Sequence, residues 1–330
     1  MKYYWLKLAE LLSRLFPRRM SYGIARRLAD LYVVFDKRGR ECVISNLKQI
    51  QAGSGVALSA RALHSLAREN FLNFAKYLVD FFKFLHIDRR HMERIVHFGN
   101  VPPVVDGLLA HGKGIIFLSA HLGNWELGAA ALAALDYKVN AVALWVPDKK
   151  LNDLYQHYRT SRNINPIPFG RAARECIAVL RRNEIVAVVG DRDFTASSHT
   201  VEFFGRPARL PDGPAKLALV TGAPLLPIFM VRLPDDTFGY IVEEPIWADR
   251  SQHSVDDVMR QIAMAMEQVI RQHSEQWFLF HNLWDIETDR ALATATAFGA
   301  PASDVVAANP IRGGQEGREK VSRLQKKTGA

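Results

Sequence analysis

The 330-residue sequence contains only two cysteines, Cys42 and Cys176. Two cysteines are too few for a disulfide framework, and neither belongs to a Cys-x-x-Cys pair or a cysteine–histidine cluster. The sequence also has no His-Glu-x-x-His motif, and His97, His121 and His199 are not spaced as metal ligands. We therefore expect two structural thiols, no metal ion and no cofactor.

No uninterrupted apolar run reaches the ~20 residues that a membrane-spanning helix needs. The most hydrophobic stretch, residues 217–231, is broken by Gly222, Pro224 and Pro227, which favours a helix, a turn and a strand. The N-terminus lacks the apolar core and the small-residue cleavage site of a secretory signal. We therefore expect neither a spanning helix nor a cleaved leader.

Two function classes lack their usual motifs. No serine has glycine at both flanking positions of the Gly-x-Ser-x-Gly elbow; Ser119 has Phe117 and His121 there. A glycine–aromatic RNA motif and zinc-finger spacing are also absent. A serine hydrolase or thioesterase, and a nucleic-acid-binding protein, are therefore the weaker alternatives. Labelling of a serine by a fluorophosphonate would favour the first, and a steeply salt-sensitive affinity for DNA or RNA would favour the second.

The positive charge is concentrated at the two ends of the chain. The formal net charge is +9, of which residues 1–40 contribute +7 and residues 309–330 contribute +4, so the rest of the chain carries −2. Basic ends on a nearly neutral body predict contact with an anionic surface, such as lipid headgroups. For residues 309–330, a solvated tail without a function is the alternative.

The N-terminal residues predict amphipathic helices. At helical spacing, one apolar face comprises Tyr4, Leu8, Leu11, Leu12 and Leu15. A second helix has an apolar side made of Ile24, Leu28, Leu31 and Phe35. Basic residues lie opposite both faces, which is typical of helices that lie in a membrane interface. We expect residues 1–40 to lie in such an interface; the alternative is packing on the domain core.

From residue 93 onward, short apolar runs alternate with helical patterns. The segments GIIFLSA, VNAVALWV and EIVAVVGD predict buried strands, and NWELGAAALAAL and RAARECIAVLRRN predict helices. The segment FFGRPARLPDG, rich in glycine and proline, is interpreted as a loop. This alternation predicts an α/β fold with a largely parallel central sheet covered by helices. We assign residues 41–290 to this domain and residues 291–330 to a flexible basic tail.

The stretch SAHLGNWELG, residues 119–128, places polar residues between a predicted strand and a predicted helix. His121 follows the strand, where ligands usually bind in open α/β sheets. His121 and Glu126 would point about 140° apart on one continuous helix, but a turn at Gly123 can bring them together. An imidazole oriented by a carboxylate is suited to accept a proton near neutral pH. We predict that His121 is a general base, Glu126 orients it, and the substrate's own hydroxyl attacks.

The same stretch carries a resemblance to a known family. HLGNWE is an H-x4-E form of the H-x4-D/E signature of glycerolipid and lipid A acyltransferases, and the surrounding sequence resembles the late lipid A acyltransferases. The resemblance spans about residues 20–285 and includes ENFLNFAKYLVDFF, LYQHYRTSRN, LRRNEIVAVVGDRDF and SEQWFLFHNLW. It implies a glycerolipid acyltransferase-like fold and transfer of an acyl chain from acyl carrier protein or coenzyme A to a lipid hydroxyl.

The resemblance also implies roles for single residues. His121 is then the general base, Glu126 its partner, and Arg159 matches an arginine proposed to steady the oxyanion. The other residues expected at the oxyanion or the substrate are Asn124, Gly170, Arg171, Asp191, Arg192 and Asp193. The last three match a turn after a strand, in which the aspartates could orient neighbouring arginines.

The sequence departs from the family at Glu126, where many relatives have Asp, in the turn DRD, and in SEQWFLFHNLW, which lacks an arginine. The acceptor is therefore open among a lipid A precursor, a related glycolipid, a lysophospholipid and an aminolipid. The expected partners are an acyl thioester of acyl carrier protein or coenzyme A, the lipid acceptor and a membrane surface, but no nucleic acid. The expected location is the cytoplasmic face of the bacterial inner membrane, as a peripheral or monotopic protein.

Overall fold

A computed structural model of the chain describes residues 2–53, 55, 58–84, 89–143, 148–169, 172–192 and 198–285. The predicted basic tail, residues 291–330, lies outside this part of the chain. Gly170, Arg171 and Asp193 lie outside it as well, so their expected places at the substrate stay predictions. The domain boundaries at residues 40 and 290 also stay predictions.

Eleven α-helices occur within the described residues. They are α1 (Lys2–Leu15), α2 (Arg18–Phe35), α3 (Lys37–Ala52), α4 (Ala60–Lys83), α5 (Arg89–Ile95), α6 (Val101–Leu109), α7 (Trp125–Ala133), α8 (Lys149–Thr160), α9 (Ala172–Arg181), α10 (Gly213–Thr221) and α11 (Val255–Gln272). Their starts follow ordinary capping chemistry: the Ser59 side chain accepts from Ala62 N at α4, and Ser254 and Asp257 form a capping box at α11.

Nine β-strands occur in the same part of the chain. They are β1 (Val96–His97), β2 (Ile115–Ser119), β3 (Val139–Ala143), β4 (Ile164–Pro168), β5 (Ile185–Val189), β6 (Ser198–Phe203), β7 (Arg206–Pro211), β8 (Leu225–Arg232) and β9 (Phe238–Val242). A short 3-10 helix, Ser274–Gln276, follows α11.

Seven strands form the central sheet in the order β1-β9-β8-β2-β5-β3-β4. All neighbours are parallel except β8 and β9, which are antiparallel. Alternate residues of β2 enter two apolar cores: Ile115 and Phe117 pack beneath α6 and α7, whereas Ile116 and Leu118 face α9, α10 and α11. Burial of both faces explains why the strands read as continuous apolar runs. The predicted α/β fold with a largely parallel, helix-covered sheet is confirmed.

The glycines and prolines of the segment FFGRPARLPDG suggested a loop, but the segment is not a loop. Most of it belongs to an antiparallel hairpin of β6 and β7, closed by Phe204 and Gly205, both with positive φ. Alternate side chains, including Val201 and Leu210, are buried. The prolines of β7 are tolerated because β7 pairs with β6 alone and is therefore an edge strand.

The helices α1 and α2 pack against α4 through polar anchors. Tyr22 Oη donates to Asp80 Oδ1 over 2.5 Å and accepts from Arg232 Nη1 over 2.7 Å, and all three residues are buried. Burial, and next the charge of Asp80, raise the pKa of the Tyr22 phenol. These contacts tie α2 to α4 and β8 through a network inside the protein.

The apolar sides of α1 and α2 face outward. We call this surface the N-terminal apolar face, defined by the exposed residues Leu8, Leu11, Leu12, Leu15, Ile24, Leu28, Leu31 and Phe35. These side chains are exposed, although α1 and α2 pack on α4 through their other sides, so the helices pack on the domain and also present an apolar surface. Among the described helices, none combines the length and the apolar character needed to cross a membrane. Association of this face with a membrane stays a prediction.

Candidate active site

A cavity of about 820 Å³ lies at the carboxyl ends of β2, β3 and β5. Its lining is mainly apolar and comes from α4, α7, α8, α9, α10 and the sheet, among other segments. The charged or imidazole-bearing residues of the lining are His121, Glu126, Arg159, Arg192, Asp212 and Lys216. A concave apolar site with a few convergent polar groups is the usual form of a small-molecule site.

His121 is held in this cavity by Asp191. The His121 Nδ1 atom lies 2.7 Å from Asp191 Oδ1, and the His121 backbone N–H donates to Asp191 Oδ2 over 2.9 Å. Asp191 is fully buried, whereas the His121 side chain is 18% exposed and lines the cavity. With Nδ1–H donated to the carboxylate, the Nε2 lone pair is free to accept a proton.

The two residues meet because β2 and β5 are parallel neighbours in register. Ser119, the last residue of β2, pairs with Val189, the last residue of β5. His121 and Asp191 each follow their strand by two residues, so both lie at the same edge of the sheet. The Gly190 N–H donates to the Ser119 carbonyl over 2.8 Å and continues the ladder to the site.

Burial sets the charges of this pair. It lowers the pKa of His121 below its ordinary 6.5, because the loss of water outweighs the attraction of Asp191 for the imidazolium. The positive charge of Arg192 lowers this pKa further. Burial alone would raise the pKa of Asp191, but attraction and hydrogen bonds from His121 and the charge of Arg192 overcome it. The pKa of Asp191 therefore lies well below its usual range. Near neutral pH the carboxylate is ionised and the imidazole is neutral, as a general base must be.

Gly123 makes the turn that the sequence required after His121. Its φ is +60°, and a Cβ atom there would lie 2.0 Å from the carbonyl oxygen of Met230 on β8. Its N–H donates to the Gln276 carbonyl over 2.9 Å. Any side chain at this position would therefore collide with the backbone and displace the loop that carries His121.

Glu126 does not orient His121, contrary to the prediction from the motif spacing. Its Oε1 accepts from Arg159 Nη2 over 2.7 Å, and both side chains line the cavity. The attraction of Glu126 raises the pKa of Arg159. Glu126 is in the first turn of α7 and Arg159 in the last turn of α8, where their charges also suit the helix dipoles. The orienting carboxylate is Asp191, and Glu126 forms a second pair beside it.

We call His121 and Asp191 the dyad, and Arg192 directly follows Asp191 in the chain. It lines the cavity, and its Nη2 donates to the Phe278 carbonyl. Its Nε is buried and has no hydrogen-bond partner among the described residues. Arg162, another arginine near this edge, instead donates to the Phe81 and Phe84 carbonyls at the end of α4. Arg192 and Arg159 are therefore the two arginines of the described chain that line the cavity.

Asn124 has a structural position rather than the predicted substrate contact. It is 1% exposed and absent from the cavity lining. Its Oδ1 accepts from Leu127 N over 3.1 Å and caps α7, and its N–H donates to the Met230 carbonyl over 2.9 Å. It thus joins the loop of His121 to α7 and β8, as asparagine commonly does at a helix start.

Trp277 completes the site, although no motif in the sequence indicated a role for it. Its Nε1–H donates to Asp191 Oδ2 over 2.9 Å, and its side chain is buried. For Asp191, a usable signal was its place two residues after an apolar run, as for His121. For Trp277 the sequence offered only its presence in SEQWFLFHNLW. Within the described residues, no group of three or more His, Cys, Asp or Glu side chains could hold a metal ion.

Comparisons with known proteins point to one family. Residues 1–285 match the family model described as bacterial lipid A biosynthesis acyltransferase. Three similar proteins are named phosphatidylinositol mannoside acyltransferase. The one from Mycobacterium tuberculosis strain CDC 1551/Oshkosh is 30% identical over 184 residues, which are 54% of this chain and 57% of that protein. The one from strain H37Rv is 28% identical over 218 residues (64% and 68%), and the one from Mycolicibacterium smegmatis is 25% identical over 237 residues (70% and 77%).

Proposed function

This chain belongs to the bacterial lipid A biosynthesis acyltransferase family, and we propose that it transfers a fatty acyl group from an acyl thioester to a hydroxyl of a glycolipid. One observation supports this reaction above all. His121 presents a neutral imidazole to an apolar cavity while buried Asp191 holds its other nitrogen. This arrangement removes a proton from a hydroxyl without a nucleophile from the enzyme.

The proposed reaction has two proton transfers. His121 Nε2 takes the proton of the acceptor hydroxyl as its oxygen attacks the thioester carbonyl, and the resulting imidazolium is stabilised by Asp191. The carbonyl oxygen becomes an oxyanion, which a cationic donor can stabilise. Arg192, with its unused Nε–H, and Arg159 are the candidates for this role. Collapse breaks the C–S bond, the thiolate takes the proton from His121, and the new ester is released.

The acyl chain is proposed to lie between α7 and the sheet. Here the cavity is lined by Gly128 and Ala129 of α7 and by Ala141 of β3 and Ala187 of β5. Because these side chains are small, they leave space for a hydrocarbon chain in an apolar region that Tyr240 borders. Burial of a hydrocarbon chain in such a space gains about 0.8 kcal/mol per CH₂, which gives the donor most of its binding energy.

The proposed acceptor is a glycolipid that also carries phosphate. The cations Arg159, Arg192 and Lys216 line the cavity, and Arg–phosphate pairs are strong and geometrically specific. The names of the similar proteins suggest a phosphatidylinositol mannoside, and the name of the family suggests a lipid A precursor. Acyl carrier protein and coenzyme A are the two candidate donors.

The experiment that tests this function pairs defined donors with defined acceptors. Purified protein is incubated with palmitoyl-coenzyme A or palmitoyl-acyl carrier protein and, in turn, a lipid A precursor, a phosphatidylinositol mannoside and a lysophospholipid. We expect mass spectrometry to show a mass gain of one acyl group on one of the two glycolipids. Free fatty acid without any acylated lipid would contradict the proposal and favour a thioesterase.

We further propose that the N-terminal apolar face brings the enzyme to the membrane that holds the acceptor, at the cytoplasmic side of the inner membrane. Replacing Leu11, Leu15 and Leu28 by serine removes three exposed apolar side chains of this face. At about 1 kcal/mol or more for each buried leucine, we expect affinity for phosphatidylglycerol vesicles to fall by about 10²-fold. Vesicle flotation measures this change.

The matched control for this experiment is Met264→Ser, because Met264 is 69% exposed but lies on α11. We expect this variant to bind vesicles like the unchanged protein. Equal binding by the triple variant and the control would contradict the membrane proposal, and a normal melting temperature in both variants would show that folding is intact.

A further inference from the structure

The segment after α11 crosses the site although it has little regular structure. We call residues 273–284 the C-terminal strap. Apart from the 3-10 turn and one isolated bridge between Leu122 and Trp277, it pairs with no strand in the described part of the chain. Buried asparagines hold it instead: Asn70 Nδ2 donates to the Trp277 carbonyl over 2.7 Å, and Asn46 Nδ2 donates to the His281 carbonyl over 2.8 Å.

Gln276 joins the strap to the strand beside His121. Its Oε1 accepts from the Arg232 N–H over 2.8 Å, and its Nε2 donates to the Arg232 carbonyl over 3.0 Å. Its own carbonyl accepts the Gly123 N–H, and the Phe278 N–H donates to the His121 carbonyl over 2.8 Å. The strap is therefore bonded to the loop of His121 on both sides of Trp277.

From these contacts we infer that Trp277 is a positioning residue for the dyad, which sets the orientation of the Asp191 carboxylate toward His121. This inference rests on the proposed function, because it assigns the residue a part in the same proton transfer. Oδ2 of Asp191 accepts two N–H groups, from Trp277 Nε1 and from the His121 backbone, and Oδ1 accepts His121 Nδ1–H. Because these two N–H groups hold Oδ2, the other oxygen, Oδ1, is the one that faces the imidazole ring.

The chemistry of indole suits this role. The rotation of a carboxylate about its last torsion is broad, so hydrogen bonds must fix the plane of the group. An indole N–H donates only and does not ionise at accessible pH, so it stabilises the charged carboxylate and never competes for the proton.

Trp284 provides a matched control on the same strap. Trp284 and Trp277 are both buried, and their ring centroids lie 6.5 Å apart. The Trp284 Nε1–H also donates an internal hydrogen bond, over 3.1 Å, but to the Phe203 carbonyl rather than to the dyad. Replacement of either tryptophan by phenylalanine removes one buried indole from the same packing cluster. Only W277F removes a donor from Asp191.

The experiment compares W277F and W284F in the unchanged protein and in a D191N background. We expect W277F to lower kcat by ~10-fold or more with little change in KM, as loss of a hydrogen bond to a charged group does. In the D191N background we expect no further loss, because the two residues act through one contact. W284F should change the melting temperature but leave kcat and the His121 titration unchanged.

A second readout does not depend on activity. Titration of the His121 ring by NMR should show a lower pKa in W277F than in the unchanged protein, because a carboxylate that is no longer held toward the ring attracts the imidazolium less. Among the described residues, the other charged or titratable groups that act on His121 are Arg192, Glu126 and His281, and all three are kept in both variants. W284F should not move this pKa.

The outcomes separate the two proposals. If D191N keeps normal kcat, the dyad of the proposed function is wrong. If D191N loses activity but W277F behaves like W284F in both readouts, the positioning role of Trp277 is wrong. Losses of kcat that multiply in the W277F/D191N double variant would also overturn it, because independent effects do not share a contact.

Discussion

The variant His121→Gln should lose acyl transfer by at least ~10³-fold, within the range by which a general base accelerates a reaction. Glutamine can keep a hydrogen bond to Asp191, but its amide cannot take a proton from a hydroxyl. The apolar cavity and both arginines remain, so binding of the donor should change little. Steady-state rates with a saturating acyl thioester measure the loss.

The control for this variant is His111→Gln, because His111 precedes β2 at the opposite edge of the sheet and contacts Trp247. We expect this control to retain full activity. The melting temperatures of both variants should remain within a few degrees of the unchanged protein. Activity of His121→Gln within tenfold of normal would show that another group accepts the proton.

The pH dependence of the unchanged enzyme gives an independent check on His121. Burial lowers the pKa of its imidazole below 6.5, and only the neutral form can accept a proton. The acidic limb of the kcat/KM profile should therefore be centred below pH 6.5. An acidic limb centred above pH 6.5 would contradict this assignment of charge.

The variants Asp191→Asn and Glu126→Gln should differ sharply, because only Asp191 contacts the imidazole. We expect Asp191→Asn to lower kcat by about 10²–10⁴-fold, since the neutral amide neither stabilises the imidazolium nor selects the tautomer with a free Nε2. The His121 pKa should fall as well, because the charge of Asp191 raises it in the unchanged protein.

Glu126→Gln provides the matched carboxylate-to-amide change in the same cavity. Its side chain holds Arg159 rather than His121, and an amide oxygen can still accept from the guanidinium. We therefore expect a loss of at most about tenfold, the smaller effect of a weakened hydrogen bond. If Glu126→Gln loses more activity than Asp191→Asn under the same conditions, the carboxylate predicted from the motif acts on His121 after all.

Much of the fold could be predicted from local patterns. Apolar runs such as GIIFLSA and EIVAVVGD are typical of strands buried on both faces, and the structure has β2 and β5 there. The hairpin of β6 and β7 could not be predicted from FFGRPARLPDG, because proline and glycine indicate a loop unless the strand has a free edge. Only the strand arrangement shows that β7 has such an edge.

The sequence by itself determined that His121 stands in a turn after a buried strand, because Gly123 and the change of pattern around it are local features. Tertiary structure alone decided which carboxylate holds the imidazole. Glu126 is five residues away and Asp191 seventy, yet β5 inserts between β2 and β3 and brings Asp191 to His121. The order of strands depends on how helices and apolar faces pack together, so it cannot be predicted from the spacing of residues along the chain.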